Sequence, residues 1–253
     1  MTTELGGPQL FARFAYPPNA LGYCGPEDHR ALLEYGSSGV VDGGLVQLAR
    51  GFEGAWPYLE LIAGAAGLDD PLDERVVEAY WLGTALAQSV SLPDLGLHVA
   101  ERFGPQAGRA WDRLAESLPG GHPSHAFHVF AVYPFVGLLR SGVVDEPLRV
   151  LDRCRVRWGR VEALDGATAV VSCRPLVLDR GELRLGDPVA ETARFAEDGL
   201  GLVADLAAGD VVALHWDWVC DRIDRRQLAA LQSTTRRHLD LVNATSRPGV
   251  EAG

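Results

Sequence analysis

Cys154-Arg155-Val156-Arg157-Trp158-Gly159-Arg160-Val161-Glu162-Ala163-Leu164-Asp165-Gly166, followed by Thr168-Ala169-Val170-Val171-Ser172-Cys173, is the stretch that decides the architecture. From Arg149 to Leu164 β-branched residues alternate with arginines, a period that suits a half-buried strand. Asp165-Gly166 separates this run from the next, and Asp-Gly in that place predicts a hairpin with positive φ at both central turn residues. Val156 and Trp158 share one face, whereas Val161 and Ala163 have the opposite parity. A bulge at Gly159 would restore a single inward set and bend the strand as barrel closure requires.

Downstream, Asp179-Arg180-Gly181 and Gly186-Asp187 mark further turns, and Gly209-Asp210 leads into a strand over Val211–Trp216. Arg225 to Asn243 reads as an amphipathic helix with Leu228, Leu231, Leu239 and Val242 inward. Short strands at close spacing, followed by one helix, predict a small β-barrel. Upstream the pattern is helical. Residues 1–25 are expected to be irregular, because Gly6-Gly7-Pro8 and Pro17-Pro18 break the periodicity. Helices are expected from Pro26 to Tyr35 with a stop at Gly36, then over Leu45–Phe52, Pro57–Ala66, Asp73–Val90, Leu95–Phe103 and Gln106–Leu118. A buried helix interrupted near Pro134 follows. The expected class is therefore α+β: an all-α N-terminal domain over 1–147, a small β-barrel with a C-terminal helix over 148–245, and a disordered tail at 246–253.

Composition bounds the function. The chain has 253 residues, 47% of them hydrophobic and 23% charged, which is ordinary for a folded protein. A formal net charge of −11 argues against nucleic acid or an anionic membrane as a partner. Neither an apolar run of membrane-spanning length nor a signal-peptide pattern occurs, so a cytoplasmic location is expected. Cys24, Cys154, Cys173 and Cys220 form no C-x-x-C pair, and no nucleotide-binding or serine-hydrolase motif is present.

The Cys154–Gly166 stretch resembles the opening of the HypC/HupF family of hydrogenase-maturation chaperones, in which a cysteine precedes a strand that ends in an acidic-glycine turn. Ala208-Gly209-Asp210-Val211-Val212-Ala213-Leu214-His215-Trp216-Asp217-Trp218-Val219-Cys220 resembles the family's second signature, a glycine-aspartate turn before a histidine-bearing strand. The resemblance covers residues 145–243, and the whole chain resembles actinobacterial proteins associated with hydrogenase gene clusters. It implies an accessory protein rather than an enzyme. Its partner would be the [NiFe] hydrogenase large subunit or a maturation protein, and its cargo an iron centre, the Fe(CN)2CO precursor. Cys154 would match the iron-binding cysteine and His215 the histidine of the second signature. Cys154 is internal where the family's cysteine is N-terminal, and Trp158 stands in place of the motif's proline.

Other residues could carry chemistry. His122, His125 and His128 form H-x-x-H-x-x-H. On a helix the i, i+3 pair His125 and His128 shares a face, whereas His122 is turned by roughly 120° from His128. They either hold a metal or pack and cap. Cys24, just ahead of a predicted helix N-terminus, is either a thiolate of lowered pKa or a packed cap residue. Cys24, His125 and His128 together raise the alternative of a metal-binding enzyme or carrier with its site in the helical half. Trp216 and Trp218, spaced by two, are expected to share a strand face. With Trp158 they form either core or a partner-binding platform.

Overall fold

The structure is a computed structural model that describes residues 6–107 and 111–245, so the tail expected at 246–253 lies outside the described residues. The class is α+β, as the periodicities predict. No helix among the described residues is long and apolar enough to cross a membrane.

The largest departure from expectation is the first element. Residues 7–20 are not irregular but form α1, Gly7–Ala20, with Leu10, Phe11, Phe14 and Ala15 buried along one side. Pro8 sits in the first turn, where a missing N–H costs nothing. Pro17 and Pro18 lie in the last turns and leave the carbonyls of Arg13 and Phe14, one turn back, without their i+4 helical donors. One of those carbonyls becomes part of the site below.

The helical layer continues with α2 (His29–Ser38), α3 (Gly43–Arg50), α4 (Trp56–Ala66) and α5 (Glu74–Leu82). It then passes a 3-10 turn at Ala85–Ser89 and continues through α6 (Leu92–Ala107) and α7 (Trp111–Ser117). Gly36 does not stop α2; the helix runs on to Gly39, whose φ of 70° ends it. Gly36 instead allows close packing, since a Cβ there would lie 2.9 Å from Leu202 Cδ2. The helix expected to reach Val90 ends at Leu82, where Gly83 takes a φ of 69°. A Cβ on Gly83 would lie 2.5 Å from Thr234 Cβ, so this glycine also sets how closely α5 approaches the C-terminal helix. Gly83→Ala is accordingly expected to cost at least about 2 kcal/mol, combining left-handed strain with a clash that no flexible side chain can relieve. Urea denaturation checks it, and a loss below about 0.5 kcal/mol would contradict it.

After α8 (His125–Phe127), a π-helical turn at His128–Val132 and α9 (Phe135–Arg140), residues 145–154 form α10, Asp145–Cys154. The strand reading of Arg149–Cys154 is thus corrected. Asp145, Glu146 and Pro147 open a helix, and Val150, Leu151 and Cys154 form a buried stripe at helical spacing. Cys154 therefore ends a helix rather than beginning a strand.

Then come β1 (Arg157–Asp165), β2 (Thr168–Cys173), β3 (Leu176–Asp179), β4 (Glu182–Leu185), β5 (Val189–Arg194), β6 (Ala196–Glu197), β7 (Leu200–Gly201), β8 (Val211–His215) and β9 (Trp218–Arg222). Five of these strands curl into a barrel in the order β1-β2-β5-β9-β8, with β8 paired back to β1. The β5–β9 seam is a single parallel pair, Arg194 with Trp218. The Asp-Gly hairpin forms, but Asp165 pairs with Thr168, so the turn residues are Gly166 and Ala167 and only Gly166 has positive φ. The bulge falls at Glu162, between Val161 and Ala163, not at Gly159. Gly159 faces inward, where a Cβ would lie 2.5 Å from Val171 Cγ1. Consequently Arg157, Gly159 and Val161 point into the barrel. Helix α11 (Arg225–Ala244) closes the structure, opened by a capping box between Asp224 and Gln227. The larger of two hydrophobic clusters contains both helical and barrel residues, Phe14 and Trp81 with Val161 and Leu214 among them.

Candidate functional site: a buried thiol–imidazole cluster

Three elements end at one point. Cys154 is the last residue of α10, His215 the last of β8, and His125 the first of α8, whose N-terminus is capped by Ser124. The ligand atoms of these three residues lie within 4.8 Å of one another, and all three residues are buried. His125 Nε2 is 3.9 Å from Cys154 Sγ, and the two imidazole rings are 4.9 Å apart.

Backbone carbonyls fix the imidazoles. His215 Nδ1 lies 2.7 Å from the Phe14 carbonyl, which only accepts, so Nδ1 carries the proton and donates. In an uninterrupted helix that carbonyl would accept from residue 18, but Pro18 has no N–H to give. The proline pair that disguised α1 thus frees the group that orients His215. His215 Nε2 is left deprotonated, buried and without a hydrogen-bond partner. His125 Nε2 donates to the Cys154 carbonyl at 2.7 Å, and its Nδ1 lies 3.4 Å from the Tyr80 hydroxyl. Trp81 packs beside both rings, at 4.8 Å from His125 and 5.5 Å from His215.

Burial sets the charge states. It lowers His125 to about 4 and His215 well below its ordinary value, and it pushes the Cys154 thiol up. At neutral pH the cluster is two neutral imidazoles and a thiol. Neutral imidazole is already the ligand form; the thiol becomes one on losing its proton to a bound metal.

A cavity of about 270 Å³ adjoins the cluster and is lined by Cys24, Tyr80, His125, His128, Tyr133 and Cys154, among others. His215 lies behind this wall. The H-x-x-H spacing therefore does bring His125 and His128 to one side, while His122 does not line the cavity and its backbone N–H donates to His238 Nε2. His128 is held by the rings of Tyr58, Phe103 and Tyr133 and is lowered to about 3 by burial. Of the two readings of Cys24, the thiolate of lowered pKa does not fit and the packed residue does. Helix α2 begins only at His29, capped by the Asp28 carboxylate, and burial pushes the Cys24 thiol up to about 12.

The tryptophans are also redistributed. Trp216 is a turn residue with a φ of 54°, between the paired residues His215 and Trp218, so it shares no strand face with Trp218. Trp216 stacks on Tyr23 at 4.3 Å, and Trp218 meets Tyr16 edge-on at 4.9 Å. Both are buried and present no platform to a partner; Trp158 is half-buried. Tyr80, Trp81 and the Phe14 carbonyl escaped the sequence reading. The only signal for them was the paired aromatics in α5 and the paired prolines in α1.

Burial also makes stability depend on pH. His98, His125 and His238 are each brought down to about 4, and His128 to about 3, from 6.5. The unfolded chain takes up these protons near 6.5 and the folded chain only near 4, so stability is full above 6.5 and is lost as pH falls toward 4. Asp221, raised by burial from 3.8 to about 6, acts in the opposite sense, but it is one group against six, since burial lowers His122 and His215 as well. The thermal midpoint is expected to fall steadily from about pH 7 to about pH 4.5; a flat or rising profile would contradict this assignment.

Fold and site together define an α+β protein with a buried Cys-His-His cluster where a barrel meets a helical layer. Residues 3–248 match DUF6390, a family of unknown function, and the chain belongs to that family. No curated protein and no solved structure matches it.

Proposed function

We propose that this is a cytoplasmic accessory protein of [NiFe] hydrogenase maturation that holds a transition metal at Cys154, His125 and His215. The observation that carries this reading is the convergence of three donors from separate parts of the chain, with His215 Nε2 buried and unpartnered beside the others. One thiol and two imidazoles suit iron, zinc or cobalt, and not magnesium or calcium, which prefer oxygen. Cys154 and His215 are also the two residues that the HypC/HupF resemblance selects. When bound, the metal would supply a Lewis-acid centre or, as iron, the cargo passed to a large-subunit precursor. The protein's own residues bind and orient: Phe14 and Tyr80 fix the rings, and the aromatic wall limits water. The adjoining cavity leaves room for small co-ligands. Tagged full-length protein purified from its native host is expected to enrich a hydrogenase large subunit or a maturation protein over an untagged control. Failure to enrich either overturns the maturation reading.

A second reading, a metal-binding enzyme or carrier that acts alone, is favoured by Cys24 and His128 lining the same cavity. It predicts metal in the purified protein with no such partner.

A further inference from the structure

Cys24 has no task in the three-donor cluster, yet its loop is built to present it. The buried Asn19 side chain donates to the Cys24 carbonyl at 2.7 Å. Gly22 and Gly25 flank it at φ values of 74° and 83°, and the Phe52 ring fills the space where a side chain at 25 would go. Cys24 opens onto the same cavity as Cys154, alongside the Tyr80 and Tyr133 side chains that also line it.

Charge and coordination then point one way. Three protein donors leave a four-coordinate metal one short. A divalent ion with one thiolate and two neutral imidazoles carries a net single positive charge, and among the described residues no carboxylate lines the cavity to balance it. A second thiolate makes the site neutral. His128, the other candidate, is locked among three aromatic rings, whereas Cys24 lies on a short loop.

Resting on the metal-binding reading above, we propose that Cys24 moves in as the fourth ligand and closes a two-cysteine, two-histidine site around a divalent metal such as zinc or ferrous iron. Binding converts two thiols into two metal–thiolate bonds and releases two protons to solvent. His125 transfers its proton from Nε2 to Nδ1, where Tyr80 can accept it, with no net release.

The test uses the metal-free full chain titrated anaerobically with Co(II), read by the near-ultraviolet thiolate-to-cobalt band and by proton release in two buffers. The wild type is expected to release about two protons per cobalt. Cys24→Ser is expected to keep one cobalt but to show about half the band, about one proton, and affinity weakened by more than about tenfold. A Cys24→Ser band and proton count equal to the wild type overturn the role of Cys24 while leaving the three-donor site standing. No cobalt uptake by the wild type overturns both. The wild-type proton count stands even if a variant fails to fold, because one proton per cobalt contradicts the proposal without any substitution.

Discussion

Glu191→Gln is expected to destabilise the protein by about 3–5 kcal/mol, because it leaves a fully buried arginine without its counter-ion. Arg157 points into the barrel from β1 and its guanidinium meets the Glu191 carboxylate on β5 and the Trp216 carbonyl in the β8–β9 turn. It also lies 3.6 Å from Cys173 Sγ. Arg153 reaches the same carboxylate at 3.0 Å, so α10 is tied to the barrel through Glu191. Removing the acid strands a charge in a medium that solvates it poorly. Replacing the whole pair, as Arg157→Met with Glu191→Leu, removes both the charge and the need for its partner, and is expected to recover most of the loss. Urea titration reads both variants; a loss under about 1 kcal/mol for Glu191→Gln, or a double variant worse than the single, would contradict this.

Cys154→Ser is expected to weaken metal binding by more than about 100-fold, beyond the 10–100-fold typical when only an outer-shell partner is changed. The thiolate is the one anionic donor of the three, and serine offers a hydroxyl that does not ionise at neutral pH. Because the substitution is nearly isosteric at a helix end, the fold should survive. Competition against a chelator of known affinity checks it, with circular dichroism to confirm folding. Equal affinity in a folded Cys154→Ser protein would place the metal elsewhere.

The sequence made much of the frame legible, for identifiable reasons. Gly67 and Asp73 mark helix ends with side-chain or left-handed caps, and Asp165-Gly166 marks the hairpin, because these residues act within a few positions of themselves. The errors arise where packing overrides local chemistry. Pro17 and Pro18 read as breakers, yet α1 tolerates them because His215 occupies one of the carbonyls they release. Arg149–Cys154 is drawn into the strand by the alternation of Arg153, Arg155 and Arg157 at its end, while Arg149 and Arg153, four apart, and the buried stripe of α10 follow helical spacing. Arg157 looks outward by type, and its partners, Glu191 on β5 thirty-four residues away and the Trp216 carbonyl, make an inward position tenable.

The site divides in the same way. Cys154 and His215 follow from the HypC/HupF resemblance, and His125 with His128 follows from i, i+3 spacing. Nothing periodic could say that His125, chosen for the helical half, would meet the two barrel-half residues. That meeting depends on α8 packing on α5 and α11, which brings His125 to His215 and Cys154, tertiary contacts with no local signature.

The most direct test is the metal content and X-ray absorption spectrum of full-length protein purified anaerobically from its native host. The account predicts close to one equivalent of a single transition metal with sulfur and imidazole nitrogen in its first shell, lost in Cys154→Ser. Less than about a tenth of an equivalent, or a first shell of oxygen alone, would contradict it.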